Sequence, residues 1–141
     1  MFVNEETVND YKKQGVALLR NVISSDWLEK LAKGIEKNFL DPSKYKCVYE
    51  QENGKEIFYD DYCNWQRIEE YKDFIFNSDI AKIAAQLMQS KKVNLFHEHV
   101  LIKEPGAKKR TPWHQDQPYY CVDGKDNCSL WIPLDLSLIH I

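Results

Sequence analysis

No run in this sequence approaches the roughly 20 consecutive apolar residues that a membrane-spanning helix needs. The opening Met1-Phe2-Val3-Asn4-Glu5-Glu6 lacks the basic region and apolar core of a secretory signal. Neither sign of charge dominates: 19 Lys+Arg stand against 22 Asp+Glu, for a net charge of -3, so nothing draws the whole chain to nucleic acid or an anionic membrane. A small soluble substrate suits that balance better. Cys-x2-Cys pairs are missing too, which argues against a zinc ribbon. The four scattered cysteines, Cys47, Cys63, Cys121 and Cys128, suit reduced thiols, although Cys121 and Cys128 flank a turn and are spaced for a bridge. Internal repeats, low-complexity tracts and Gly/Ser linkers are all absent. With 141 residues and 43% hydrophobic content, the expectation is one domain with a sizeable core, soluble and cytoplasmic.

Two regions differ in periodicity. Residues 1–91 are mainly helical and residues 92–141 strand-rich, in one shared core. Glu5–Gln14 has Val8 and Tyr11 on one face and ends at Gly15, a residue that tolerates the left-handed helix stop. Residues 16–22 read as a short strand. Ser24 or Ser25 then caps a helix whose apolar positions Trp27, Leu28, Leu31, Ile35 and Phe39 keep the helical period up to Asp41-Pro42. The polar stretch 43–61 contains a turn at Glu52-Asn53-Gly54-Lys55 and a short strand near residues 57–59. A helix pair follows at 68–76 and Ile80–Met88, the second capped by Ser78. From 92 to 103 the pattern alternates, with His97, His99 and Leu101 on one side and Glu98, Val100 and Ile102 on the other. Pro105-Gly106 and Asp123-Gly124 mark turns, and residues 129–136 form a last strand. Helices followed by antiparallel-looking strands make an α+β fold.

The chemistry concentrates in Thr111-Pro112-Trp113-His114-Gln115-Asp116-Gln117-Pro118-Tyr119-Tyr120. In extended backbone, residues two apart share a side, so the His114 imidazole and the Asp116 carboxylate can converge on one ion. They make up two-thirds of the 2-His-1-carboxylate set that leaves positions open on Fe(II). An isolated His-x-Asp is more often a hydrogen-bonded surface turn. Here Trp113 and Tyr119-Tyr120 offer an apolar wall, and Pro112 and Pro118 restrain the backbone. His97-x-His99 is the competing metal candidate, with core filling or pocket lining as the plainer roles. Lys103 and the Lys108-Lys109-Arg110 loop can meet an anionic group, or, for the loop above all, remain solvated. Trp131 fills core unless its side of the strand faces the metal.

Lys103-Glu104-Pro105-Gly106, the His-x-Asp segment and Trp131-Ile132-Pro133-Leu134-Asp135 together resemble the phytanoyl-CoA dioxygenase family of Fe(II)/2-oxoglutarate-dependent oxygenases. The resemblance spans about residues 93–135, with a similarity of pattern only in the helical half. It implies a double-stranded β-helix, or jelly roll, with helices packed on one side, of which this chain would hold the first strands. It implies Fe(II), 2-oxoglutarate and O2, with His114 and Asp116 as iron ligands. Trp131 matches an aromatic residue near the 2-oxoglutarate site, His99 a strand position facing the co-substrate, and Lys103 a recurrent lysine. A distal His and a carboxylate-gripping Arg complete the pattern in that family. After Asp116 the only later His is His140, placed too early to follow the strands that must intervene.

The expectation is therefore an oxygenase of a small organic substrate, truncated at its C-terminus, with a foreign tail over 136–141 and no activity as this fragment. A non-catalytic jelly roll that binds a small ligand is the second reading. A zinc hydrolase using His97, His99 and His114 is the third; it lacks an evident general base.

Overall fold

The computed structural model describes residues 3–49, 57–107, 109–124 and 126–135. The turn expected at 52–55, Lys108 and His140 lie outside them. Helix α1 (Glu5–Gln14) begins where the Asn4 side chain accepts the Thr7 N–H at 2.8 Å. It ends at Gly15, whose φ of 75° a residue with a Cβ adopts only under strain. Val8 and Tyr11 pack against Val3 and against Ile83 and Leu87 of helix α4 (Ile80–Met88). Residues 16–22 alternate as expected, with Ala17 and Leu19 inward and Val16 and Leu18 exposed. They pair with no strand among the described residues, so the apolar alternation serves packing against α1 and α4 and not a sheet.

Helix α2 (Ser25–Leu40) is capped by Ser24, which accepts the Trp27 N–H. Its buried positions Leu31, Gly34 and Asn38 follow the helical spacing and face α3 (Glu69–Asn77). Leu31 joins Ile68, Tyr71, Phe74 and Val100 in the main core, with Trp27 edge-on to Phe74 at 5.5 Å. Lys30–Asp73 and Lys37–Glu70 pairs bridge the two helices at their rims. Ser78 does not cap α4 in full: Asp79 holds the cap position, and the Ser78 hydroxyl only accepts the Ile80 N–H at 3.4 Å. No described helix is long and apolar enough to cross a membrane.

The sheet has three antiparallel strands in the order β1 (Cys47–Tyr49), β2 (Phe58–Tyr62) and β3 (His99–Lys103). Strand β1 falls in the stretch read as turn-rich, and β2 extends beyond the strand expected near 57–59. Strand β3 covers only the end of the expected 92–103 strand. Tyr62 pairs with His99, and at Cys63 the chain takes a φ of 63° and leaves the sheet, so residues 93–98 have no strand beside them. No strand forms in the described part of 129–136 either, although Ile132 and Leu134 still pack on the main core. The architecture is α+β, with α2 and α3 covering the sheet face that carries Val100 and Ile102.

Asp61, in β2, is fully buried on that helix-facing side. Its carboxylate accepts the Asn38 side-chain N–H at 2.7 Å, the Ser43 N–H at 2.8 Å, the Tyr62 N–H at 2.9 Å and the Tyr59 hydroxyl at 3.2 Å. Burial alone would raise its pKa, but the hydrogen bonds, led by those of Ser43, bring it down to about 2. A depressed folded-state value stabilises the fold above the ordinary carboxylate pKa near 4. That contribution, about 2 kcal/mol for a shift of this size, is lost as pH falls from about 4 to 2. Urea unfolding across this range should show the loss. Asp61→Asn, which turns an NH2 toward these donors, should cost about 3 kcal/mol at neutral pH and abolish most of the acid dependence.

Gly34 sets the distance between α2 and α3. A Cβ there would lie 2.6 Å from Tyr71 Cε1 and 2.9 Å from Cδ1, and the Tyr71 ring is buried with its hydroxyl bonded to Asn38 at 3.3 Å. Gly34→Ala should therefore destabilise by about 1–3 kcal/mol, reversing the gain of up to about 1 kcal/mol that alanine brings to a helix interior. A denaturant midpoint unchanged or raised in this variant would show that the helices separate freely.

Candidate metal centre

Beyond β3 the chain turns at Gly106, where φ is 90°, and runs through residues 109–116 without joining a strand. His114 is held locally. Its Nδ1 lies 2.8 Å from the carbonyl oxygen of Pro112, which can only accept, so this nitrogen is the donor there and Nε2 is the one turned toward Asp116. Asp116 has φ -71° and ψ -34° and leads into a one-turn 3-10 helix, Gln117–Tyr119. Pro118 suits that first turn, where an N–H would find no partner. The expected extended His-x-Asp strand is thus replaced by a turn. Proline on both sides and the absence of a neighbouring strand favour the tighter form, and the turn swings the carboxylate back toward the ring.

His114 Nε2 and Asp116 Oδ1 lie 3.1 Å apart. An Nε2–H donated to the carboxylate and a cation shared by the two groups both fit this separation. Metal–N and metal–O bonds of about 2.0–2.2 Å, taken at right angles, put their donor atoms about 3 Å apart. The separation fits adjacent positions on one ion. Among the described residues no group of three His, Cys, Asp or Glu side chains could hold a metal, so the pair supplies two donors and no more there.

Two residues connect this pair to the rest of the fold. The Ser129 hydroxyl donates to Asp116 Oδ2 at 3.3 Å. Tyr120 is half-buried against Phe96 and His97, with ring centroids at 5.0 and 5.4 Å. Burial, followed by the Asp116 charge, raises the Tyr120 pKa. The expected aromatic wall is only partly built: Tyr119 stands edge-on to His114 at 6.0 Å but is largely exposed, and Trp113 is wholly exposed.

The sheet face turned away from the helices carries His99, Leu101 and Lys103 beside Phe58, Asp60 and Tyr62. His97 and His99 both meet the Tyr62 ring, at 5.8 and 5.5 Å, with their own centroids 6.4 Å apart. His99 Nε2 is 3.8 Å from Asp60 Oδ1. Burial lowers the His99 pKa against the opposing pull of Asp60, and burial raises that of Asp60 against His99, so both groups are shifted toward their neutral forms. Lys103 lies at the far end of β3 with its ammonium 5.9 Å from the Phe58 ring. Trp131 is 84% exposed. Of its neighbours, Ser129 reaches Asp116 and Ile132 packs into the core. The structure thus brings His114 and Asp116 together, joins His99 to them only through the chain of rings Tyr62, His97 and Tyr120, and leaves Lys103 and Trp131 apart. Asp60, Tyr62 and Ser129 went unassigned in the sequence. Alternation along the strand expected near 57–59, extended three residues further, would have put the first two on one face of β2. Cys121 and Cys128 are free thiols, not a bridge.

The phytanoyl-CoA dioxygenase family model matches residues 11–137, nearly the whole chain. The protein belongs to that family, a dioxygenase class, and the helical half falls inside the match from residue 11 onward. No curated protein and no solved structure matches it.

Proposed function

We propose that the protein is an Fe(II)/2-oxoglutarate-dependent dioxygenase that hydroxylates a small organic substrate. Family membership supports the enzyme class, and the observation that carries the metal assignment is the 3.1 Å approach of His114 Nε2 to Asp116 Oδ1. These two residues would hold the iron from adjacent positions, and the remaining positions would serve the third protein ligand, the co-substrate and O2. Neither the distal His nor the Arg that the resemblance implies has a counterpart among the described residues after Asp116. Iron, 2-oxoglutarate and O2 together supply an oxidation in which one oxygen atom enters a C–H bond and the other enters succinate, with loss of CO2.

This chain's own side chains do the rest. Pro112 orients the His114 ring through its carbonyl, so that Nε2 is the nitrogen that would be offered to the metal. The open sheet face would form an inner wall of a jelly roll, with Lys103 and His99 directed at the carboxylates of 2-oxoglutarate and Trp131 lining the pocket beside it. Four free thiols and ferrous iron both suit the reducing conditions of the cytoplasm, where we place the reaction.

The test is release of CO2 from 2-oxoglutarate by the full-length protein supplied with Fe(II). His114→Ala and Asp116→Ala should each lower turnover by about 100-fold or more, equivalent to about 3 kcal/mol of barrier. Undiminished turnover in both variants would remove these residues from the metal site. Lack of turnover in the wild type together with retained binding of a small ligand would mark a non-catalytic member.

A further inference from the structure

We propose that Ser129 is a positioning residue that makes Asp116 a one-oxygen ligand; this rests on the metal assignment above. The two oxygens of Asp116 have different partners: Oδ1 faces His114 Nε2 at 3.1 Å, and Oδ2 accepts the Ser129 hydroxyl at 3.3 Å. A carboxylate free to rotate can close on a metal with both oxygens, as carboxylates do on large cations. On an ion that must also leave room for the co-substrate and O2, a second carboxylate oxygen would occupy a place that one of them needs. Engaging Oδ2 from the side keeps it off the metal and fixes the plane in which Oδ1 presents its lone pair.

Geometry elsewhere agrees. Asp116 lies in a turn whose backbone fixes where Cβ points but not the rotation of the carboxylate, since that terminal torsion is broad. The Tyr120 side chain also meets the Asp116 carboxylate from four residues on, whereas Ser129 comes from a segment 13 residues away that Ile132 and Leu134 anchor in the core. The hydroxyl is therefore delivered by tertiary structure to a ligand otherwise held only by its neighbours in sequence. Outer-sphere partners of this kind typically change metal affinity by about 10–100-fold when removed.

Co(II) tests this, since it is stable in air and its visible absorption reports coordination number. The full-length wild type should bind Co(II) with a six-coordinate spectrum. Ser129→Ala should bind about tenfold more weakly, with a spectrum displaced from that of the wild type, and Ser129→Thr, which restores the hydroxyl, should recover both. Wild-type affinity and spectrum in Ser129→Ala would overturn the proposal and leave the metal assignment intact. A weakened Ser129→Ala that Ser129→Thr fails to rescue would also overturn it, because the loss would then come from packing. Failure of the wild type itself to bind Co(II) would overturn the metal assignment, and this inference with it.

Discussion

The carboxylate of Asp61 decides which way the sheet faces. It sits without solvent contact between β2 and α2, and its donors come from Asn38 in the helix, Ser43 in the following loop, and Tyr59 and Tyr62 in the strand. A buried charge is tolerated only when its lone pairs are met, and rotating β2 by one residue would leave this one facing solvent and its donors unpaired. Strand side chains alternate, so holding Asp61 inward turns Asp60 and Tyr62 outward. The register then carries the choice to β3: Tyr62 pairs with His99 and Asp61 with Val100. His99 and Lys103 owe their place on the open face to a carboxylate on the opposite one.

Asp60 and Asp61 also show how two neighbours in sequence acquire opposite electrostatics. Both lose solvation. Asp61 recovers it from hydrogen-bond donors and remains a firm anion, whereas Asp60 has one half-exposed imidazole at 3.8 Å and moves toward its neutral form. The first suits a structural anchor. The second, with His99 shifted the other way, is the less firmly held charge of the two and lies on the open face.

Much of this was legible in the sequence where a residue's role depends on near neighbours. The cap at Ser24, the stop at Gly15 and the helical spacing of Leu31 and Ile35 need only a few adjacent residues, and each helix lies within a residue or two of its expected span. Strands were less legible because pairing is a long-range event: residues 16–22 and 93–98 have apolar residues of strand type but form no strand among the described residues, while β1, at three residues, carries too short a pattern to read. At the candidate site, His114 and Asp116 stood out by residue type and spacing. Ser129 did not, since a serine two residues before a tryptophan has no chemistry of its own until tertiary structure sets it beside a carboxylate.

The turn at Asp116 changes what a His-x-Asp pair demands of its scaffold. In a strand, the two side chains share a face only while neighbours hold the backbone extended, and the donor pair would depend on the completeness of the sheet. Here the ring is fixed by the carbonyl two residues before it, and the carboxylate is brought round by a 3-10 turn that Pro118 favours. Nothing in that geometry requires a neighbouring strand. Both first donors of the proposed centre can therefore form from a ten-residue segment, and the surrounding fold is left to supply what the segment lacks: orientation of the second carboxylate oxygen, the remaining ligand and the wall that keeps out water. This division accounts for a paired His114 and Asp116 on a surface where Trp113 and Tyr119 still face solvent.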